Sequence, residues 1–537
     1  MPLFAVLPSL QVASVGSFVL SSTKILGVGS WIFAAFWLFR LFVYWPWRSR
    51  LTRLPGPPPA GKVFGTHLPG LMDPRVSPRR HEELRQQYGL NMRIHGMGYF
   101  DERFLTFDPV AINYILGRAA DLFPKPWQSR SLVSRLVGDG LFVAEGEQHR
   151  RQRKIISPAF SNHSLRALQP VFFTKAIELR DTLSKLVQNA ATSSSDENEK
   201  VDNGLVVDMN NWLWRTTFDI IGLAGFSYSF DSLKNEENEL YVAYRDMLTI
   251  GVKYGFTLRS MLEIWFPWIG RVFPNDDSNA IKKSKEIVSR IGTEIVKQQK
   301  AAIVQDKMLG ESGKGRDILS LLIGANMAEF SAQYQLSDEE LLTQISTLLF
   351  VGSDTTSIAL AWILHLLTMN PDVQQKLREA ITSKIPSTDS FSVTDQNAIM
   401  SIPYLDHVIK EALRLIPPLH STLRVAAKDD RIPTSDGTEV LIRAGQFVHI
   451  AFEGFNTRKD VWGEDAFEFK PERWANLPTA AKEAPGLVLG LMTFSLGPHS
   501  CPGYQFAMLE IKALLSALIP AFTFEKSPKD TIKMGNM

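Results

Sequence analysis

The chain has 537 residues, 45% of them hydrophobic and 21% charged, enough apolar side chain for a large core and too much for an intrinsically disordered chain. Its 58 Lys and Arg against 56 Asp and Glu leave a formal charge of +2, and no basic block points to nucleic acid. A single cysteine excludes an internal disulfide and a thiolate zinc cage, and it fits a reducing compartment.

Residues 2–23 carry no charge. After Lys24 a second apolar stretch runs from Ile25 to Trp47 with Arg40 as its one charge, and its length suits a bilayer span of about 20 residues. Arg40 near one end can reach the headgroups. Tyr44, Trp45 and Trp47 form an interfacial aromatic belt, and Arg48, Arg50 and Arg53 place that flank in the cytosol by the positive-inside rule. A cleaved signal peptide is the competing reading, but the stretch is long and no small-x-small site follows it. Residues 2–23 read either as a second, weaker span or as a lumenal or interfacial tail. Leu54-Pro-Gly-Pro-Pro-Pro59 cannot continue a helix. The expected organisation is an anchor over 1–53, a proline-rich hinge over 54–61 and one large domain over 62–537.

Beyond the hinge, Gly89–Ile94 and Arg103–Phe107 read as short strands, with helical pieces at His81–Tyr88 and Asp108–Leu116. Gly146–Lys154 is a basic run whose plain meaning is a solvated helix face. Within it His149 and Arg153 stand at i and i+4, so both can meet one anion, and the guanidinium can grip a carboxylate with two bonds. Asn189–Gly204 reads as a solvated loop and Met209–Gly225 as a helix. Thr249–Phe273 is rich in Phe, Trp, Leu and Ile. Asn162-His-Ser164 is a glycosylation sequon that a cytosolic domain leaves unmodified.

Ser337-x-x-Glu340 is a capping box and Pro371 a stop, so one helix is expected over Asp338–Met369, about 48 Å long at about 1.5 Å per residue. Near its midpoint, Val351-Gly352-Ser353-Asp354-Thr355-Thr356 gathers residues that are poor inside helices, Gly alone costing about 1 kcal/mol against Ala. Apolar Leu348–Phe350 and Ile358–Leu360 flank it, so Asp354 is expected among core residues, at a local break in the helix.

Pro403–Ile416 has an amphipathic helical pattern with Glu411 and Arg414 at i and i+3. A surface pair at that spacing is worth only about 0.2–0.5 kcal/mol. Phe469-Lys-Pro471-Glu-Arg473-Trp474 follows, and Thr438–Ile442 and Phe447–Ala451 read as strands. Cys501 lies in Phe494-Ser-Leu-Gly497-Pro-His499-Ser-Cys501-Pro-Gly503, ahead of a helical run Tyr504–Leu518. Near that helix start, with Pro502 at the first helical position, free N–H groups favour a thiolate. Such a thiolate is a nucleophile or a metal ligand; the plain alternative is a small buried hydrophobe.

Phe494-x-x-Gly497-x-His499-x-Cys501-x-Gly503, with Ala507 beyond it, resembles the haem-binding loop of the cytochrome P-450 superfamily, of microsomal, fungal-like type. The resemblance implies a mainly α fold with a small β region behind an N-terminal transmembrane anchor, and haem b with Cys501 as the axial iron ligand. Phe494, Gly497 and Gly503 would shape the haem loop. His149 and Arg153 stand where the family has Trp-x-x-x-Arg, and His499 where it has Arg; with Arg424 they would meet the haem propionates. Asp354 and Thr355 match the family's proton-delivery pair, with Val351 in place of its first small residue. Glu411, Arg414 and Arg473 match its structural triad, and Thr249–Phe273 falls where members close a substrate channel and touch the membrane.

Gly27-x-Gly29 and Gly96-x-Gly98 lack the third glycine of a dinucleotide loop, and Gly313-Lys-Gly315 lacks a P-loop context. By the resemblance, electrons then come from an NADPH-cytochrome reductase, with cytochrome b5 as a further donor. O₂, a hydrophobic small-molecule substrate and membrane lipid complete the expected partners. The expected place is the endoplasmic reticulum membrane, single-pass, with the catalytic domain cytosolic. The expected reaction is insertion of one oxygen atom of O₂ into an apolar substrate. An isomerase, dehydratase or peroxygenase needing no reductase stays open within the fold, and so does a non-catalytic haem sensor.

Overall fold

The structure is a computed structural model, and it describes residues 31–527 apart from 61–64, 74, 194–203, 255–258, 260–261, 264–265, 267, 309–316, 329–335, 386–389 and 483–489. Residues 2–30 of the expected membrane segment and most of the expected loop at 189–204 lie outside the described residues.

The described part of the apolar N-terminal segment is helical over 31–48. Its large side chains face outward, Trp31 78% and Trp47 82% exposed, with Phe33, Phe36 and Phe39 more than half exposed. Among the described residues the one helix long and apolar enough to cross a membrane is Asp338–Met369, and 56% of its most apolar window is buried in the protein. It is a core helix. The described part of the expected hinge is bonded to the body of the protein. Leu51 is fully buried, the Pro55 carbonyl accepts from the Arg93 N–H at 2.8 Å, and the Pro58 carbonyl meets His67 Nε2 at 2.9 Å. Proline removes a donor from the backbone and leaves its carbonyl free to accept, so a proline-rich strand can still pair through that side.

Helix α1 (Ser77–Tyr88), which begins four residues before the expected His81, leads into strands β1 (Asn91–His95) and β2 (Glu102–Thr106), both strands within two residues of their expected places. The helical body follows with α2 (Gly146–Ile156), α3 (Asn162–Ser193), α4 (Met209–Phe226), α5 (Glu239–Tyr254), α6 (Asp276–Met308), α7 (Asp338–Met369) and α8 (Pro403–Leu415). Helix α3 carries on through Asn189–Ser193, where a loop was expected. Strands β3 (Ser421–Val425), β4 (Asp430–Pro433), β5 (Glu439–Ile442) and β6 (Phe447–Ala451) come next, and α9 (Tyr504–Ala521) closes the chain. One sheet has the order β1-β2-β6-β3 and β4-β5 form a separate pair. Within the larger sheet only β2 and β6 run parallel. This is a mainly α fold with a small β region.

Helix α7 begins and ends where its caps dictate: the Ser337 hydroxyl accepts from the Glu340 N–H at 3.1 Å and the Glu340 carboxylate accepts from the Ser337 N–H at 3.0 Å. Its apolar face packs on α4, and Leu348, Leu349, Ala359 and Leu360 belong to the same main core as Phe218, Ile220 and Ile221 of α4. Gly352 permits that approach, since a Cβ there would come within 3.1 Å of Ile221.

The expected break at Val351–Thr356 is absent; α7 is helical throughout. The hydroxyls of that stretch bond back along the helix. Ser353 Oγ donates to the Leu349 carbonyl at 2.6 Å and Thr355 Oγ1 to the Val351 carbonyl at 2.8 Å. Hydroxyls that would compete with the backbone elsewhere are here satisfied one turn back. Thr217 Oγ1 of α4 adds a bond to the Ser353 carbonyl at 2.9 Å.

Candidate functional site

The scaffold under the cysteine loop is a buried ionic knot. Glu411 and Arg414 sit one turn apart on α8, both 0% exposed, and pair through two bonds of 2.9 Å. Arg473 Nε donates to Glu411 Oε1 at 2.7 Å, Trp474 Nε1 to Oε2 at 2.9 Å and the Lys470 N–H to Oε1 at 3.0 Å. Arg414 also donates to the carbonyls of Ala466 at 2.7 Å and Glu468 at 3.2 Å. With every lone pair engaged, two guanidiniums and a carboxylate tolerate full burial. The structure thus brings Glu411, Arg414 and Arg473 together. The sequence did not flag the next step. Thr493 Oγ1 donates to the Leu413 carbonyl at 2.8 Å and accepts from Asn456 Nδ2 at 2.9 Å, and Asn456 Oδ1 accepts from the Met492 N–H at 2.9 Å. These bonds tie α8 directly to the residues ahead of Phe494.

The loop itself is closely folded. The Cys501 N–H donates to the Phe494 carbonyl at 2.9 Å, and Phe494 lies 6.0 Å from Tyr504 between ring centroids. Gly497 has φ +72°, and a Cβ there would stand 2.1 Å from the Leu116 carbonyl oxygen, so only glycine fits. Helix α9 starts at Tyr504 as its pattern suggests, but Gly503 is its N-cap, so Pro502 is not the first helical residue and Cys501 lies ahead of the cap. That placement weakens the expected pull of the helix start on the thiol. Burial pushes the Cys501 thiol up, outweighing the Gly503 amide and Arg153, which pull it down. A metal ion reverses that balance, because coordination deprotonates a thiol outright.

Around the loop stands a cluster of cations and one carboxylate. Arg153 of α2 donates to the Ser500 carbonyl at 2.6 Å. His149 of α2 and His499 lie ring to ring, with centroids 3.9 Å apart. His499 Nε2 is 3.3 Å from Glu145 and Lys125 Nζ is 3.1 Å from it. Burial raises the Glu145 carboxyl, but the His499 bond and Lys125 outweigh it and hold it at about 2. Burial, the neighbouring His499 and Lys125 push His149 down to about 3. Arg424 in β3 is 4% exposed. It donates only to Thr422 Oγ1 at 2.5 Å and the Leu423 carbonyl at 2.8 Å, and burial pushes it down to about 10. Among the described residues no carboxylate is within ion-pair distance of it, which an anionic ligand would remedy. Glu145 and Lys125 were not legible from sequence, because nothing local marks them.

Haem fits this site on two grounds. The cation excess matches a group bearing carboxylates. The one cysteine of the chain lies on this loop, and a single thiolate suits a metal whose other ligands come with it, as in a porphyrin.

On α7 the Asp354 carboxylate makes no hydrogen bond or ion pair among the described residues, and burial raises it to about 6. A raised folded-state value means that its contribution to stability is full below the unfolded value near 4 and is lost as pH rises through about 6. In Asp354→Asn the melting temperature is therefore expected to gain on that of the parent between about pH 4 and about pH 7. A difference that stays constant across that range would show that folding leaves the Asp354 pKa unshifted.

Residues 55–537 match the family model described as Cytochrome P450. A cytochrome P450 monooxygenase of Postia placenta, number 128, is 37% identical over 503 residues, covering 89% of this chain and 87% of its own length. A ganoderic acid synthetase of Ganoderma lucidum is 36% identical over 523 residues, 92% of this chain and 91% of that protein. A cytochrome P450 monooxygenase of Ampulloclitocybe clavipes is 33% identical over 491 residues, 89% of this chain and 87% of its own.

Proposed function

The chain belongs to the cytochrome P450 family and is a haem-thiolate monooxygenase, and from that premise we propose that it oxygenates an apolar small molecule at a haem held by Cys501, drawing electrons from a separate NADPH-dependent reductase. The observation that carries the assignment of the site is the cradle around the loop: a buried guanidinium without a carboxylate, Arg424, beside Lys125, Arg153 and His499.

Cys501 would hold the iron, and the cradle of Arg153, Arg424, Lys125 and His499 would meet the haem carboxylates. When bound, haem supplies the activation of dioxygen. The remaining work is proton handling. Asp354, kept partly neutral by burial, holds a proton at its carboxyl oxygen. Thr355 gives its hydroxyl hydrogen to the Val351 carbonyl and keeps its lone pairs free to accept from a donor on the Asp354 side. To pass a proton into the site, the Thr355 hydroxyl must turn from the Val351 carbonyl and give its hydrogen to an acceptor in the site as it accepts one from the Asp354 side, and Asp354 then takes up a proton again from solvent.

The exposed apolar side chains at 31–47, followed by Arg48, Arg50 and Arg53, support a single-pass attachment to the endoplasmic reticulum membrane with the catalytic body in the cytosol. Leu262, Phe266, Trp268, Val272 and Phe273 are exposed as well, which supports a second contact with lipid.

The test is NADPH oxidation by the purified protein with added reductase, over a panel of lipids, terpenoids and aromatics that includes ganoderic acid precursors. NADPH use coupled to an oxygenated product is expected. Thr355→Ala should keep its haem, lose roughly tenfold or more of coupled product and divert electrons to peroxide. Product formation without a reductase would overturn the electron source, and unchanged coupling in the variant would remove Thr355 from the mechanism.

A further inference from the structure

Glu453 is 1% exposed and stands between two histidines from distant parts of the chain. Its Oε2 accepts from His420 Nδ1 at 2.9 Å, and Nδ1 of His81, on α1, lies 3.4 Å from its Oε1. Among the described residues no lysine or arginine is within ion-pair distance of it. Burial raises the Glu453 carboxyl, but the His420 bond and His81 outweigh it and hold it at about 2. An ionised carboxylate can only accept, so His420 carries a ring hydrogen on Nδ1. His449 of β6 lies buried nearby and bonds to none of the three; burial and Arg103 push it down to about 3. An apolar side chain would fill this space without the cost of burying a charge. What the carboxylate adds is direction.

Glu453 belongs to the helical turn Phe452–Asn456, and both ends of that turn are fixed. At its start the His420 carbonyl accepts from the Phe452 N–H at 2.8 Å. His420 is thus held by backbone and ring together, and β3, which carries Arg424, begins at the next residue. Gly454 lets α1 close on the turn, since a Cβ there would stand 2.9 Å from His81 Cβ and 2.6 Å from Phe107. At its far end Asn456 bonds to Thr493 and to the Met492 N–H, and its carbonyl accepts from Arg414 at 3.2 Å. We propose that Glu453 is a positioning residue that, through His420 and His81, sets the turn carrying Asn456 against the cysteine loop and the strand carrying Arg424 against the cradle. Groups beyond the ligands tune a metal site by orienting what touches it. The inference rests on the assignment of Cys501 and Arg424 to haem above.

The haem-loaded full chain tests this through the reduction potential of the haem and the rate of its release to an acceptor protein. Glu453→Leu removes the acceptor shared by the two histidines; its potential should shift and its haem release should rise roughly tenfold or more. Glu453→Gln keeps an oxygen that accepts from His420 and should stay near the parent in both. His420→Phe keeps the ring volume but loses the donor, so its potential should shift in the same direction as that of Glu453→Leu. Asp219→Asn is the control. Asp219 of α4 is as deeply buried and pairs with Lys175 at 3.4 Å, so its loss should lower the melting temperature and leave the potential parental. A parental potential in Glu453→Leu would overturn the proposal, and if that variant does not fold, a parental potential in His420→Phe would do the same. A shift in Glu453→Gln as large as in Glu453→Leu would also end it, as would an equal shift in Asp219→Asn. The long-wavelength band of the parent's ferrous carbon monoxide complex tests the haem reading separately. A parent with that band and unaltered variants would overturn the positioning role alone.

Discussion

Cys501→Ala is expected to abolish the long-wavelength Soret band of the ferrous carbon monoxide complex and, with it, all monooxygenase turnover. The band depends on a thiolate donating electron density to the iron, and the chain has no second cysteine to take over. The rest of the cradle would be intact, since Arg424 and Arg153 reach their partners without the thiol. The variant should therefore fold and retain part of its haem, with a shifted spectrum. Arg424→Leu separates the two roles. It leaves the ligand in place and removes a buried charge, so it should preserve the band while releasing haem faster in dilution against an acceptor protein. A long-wavelength band in Cys501→Ala would mean that iron is held elsewhere.

What could be read in advance depended on whether a residue's partner lay near it in the chain. The bounds of α7 followed from Ser337, Glu340 and Pro371, each within a turn of the end it fixes, and the helix has those bounds. The break did not follow, because the packing of α7 on α4 overrides the poor helix propensity of Val351–Thr356. Glu411, Arg414 and Arg473 could be named by resemblance. Their coupling to the cysteine loop through Asn456 and Thr493 could not, since those residues lie far apart in the chain and carry no local pattern. The two histidines show the same limit. Each was placed singly against an anion; the fold stacks them on each other and gives His499 a protein carboxylate, Glu145, as its neighbour.

Glu411→Leu is expected to be among the most damaging single changes available away from the haem ligand. It leaves Arg414 and Arg473 buried without their shared carboxylate, and breaking a buried pair by removing one partner costs about 3–5 kcal/mol. Against a total stability of about 5–15 kcal/mol for a domain, that is a large share. The comparison within the protein is Arg431 with Glu439, 71% and 51% exposed at 3.3 Å, where the same kind of deletion should cost under about 1 kcal/mol because water screens the pair. Glu411 also accepts from the Lys470 N–H and Trp474 Nε1, so its loss unties the segment over 470–474 from α8. The neighbouring route through Thr493 would then carry the loop alone. Melting temperature and haem per polypeptide should fall together in Glu411→Leu and stay near the parent in Glu439→Leu. Equal, small losses in both would mean that burial adds nothing to the Glu411 pair, and that α8 braces the cysteine loop through Leu413, Asn456 and Thr493 alone.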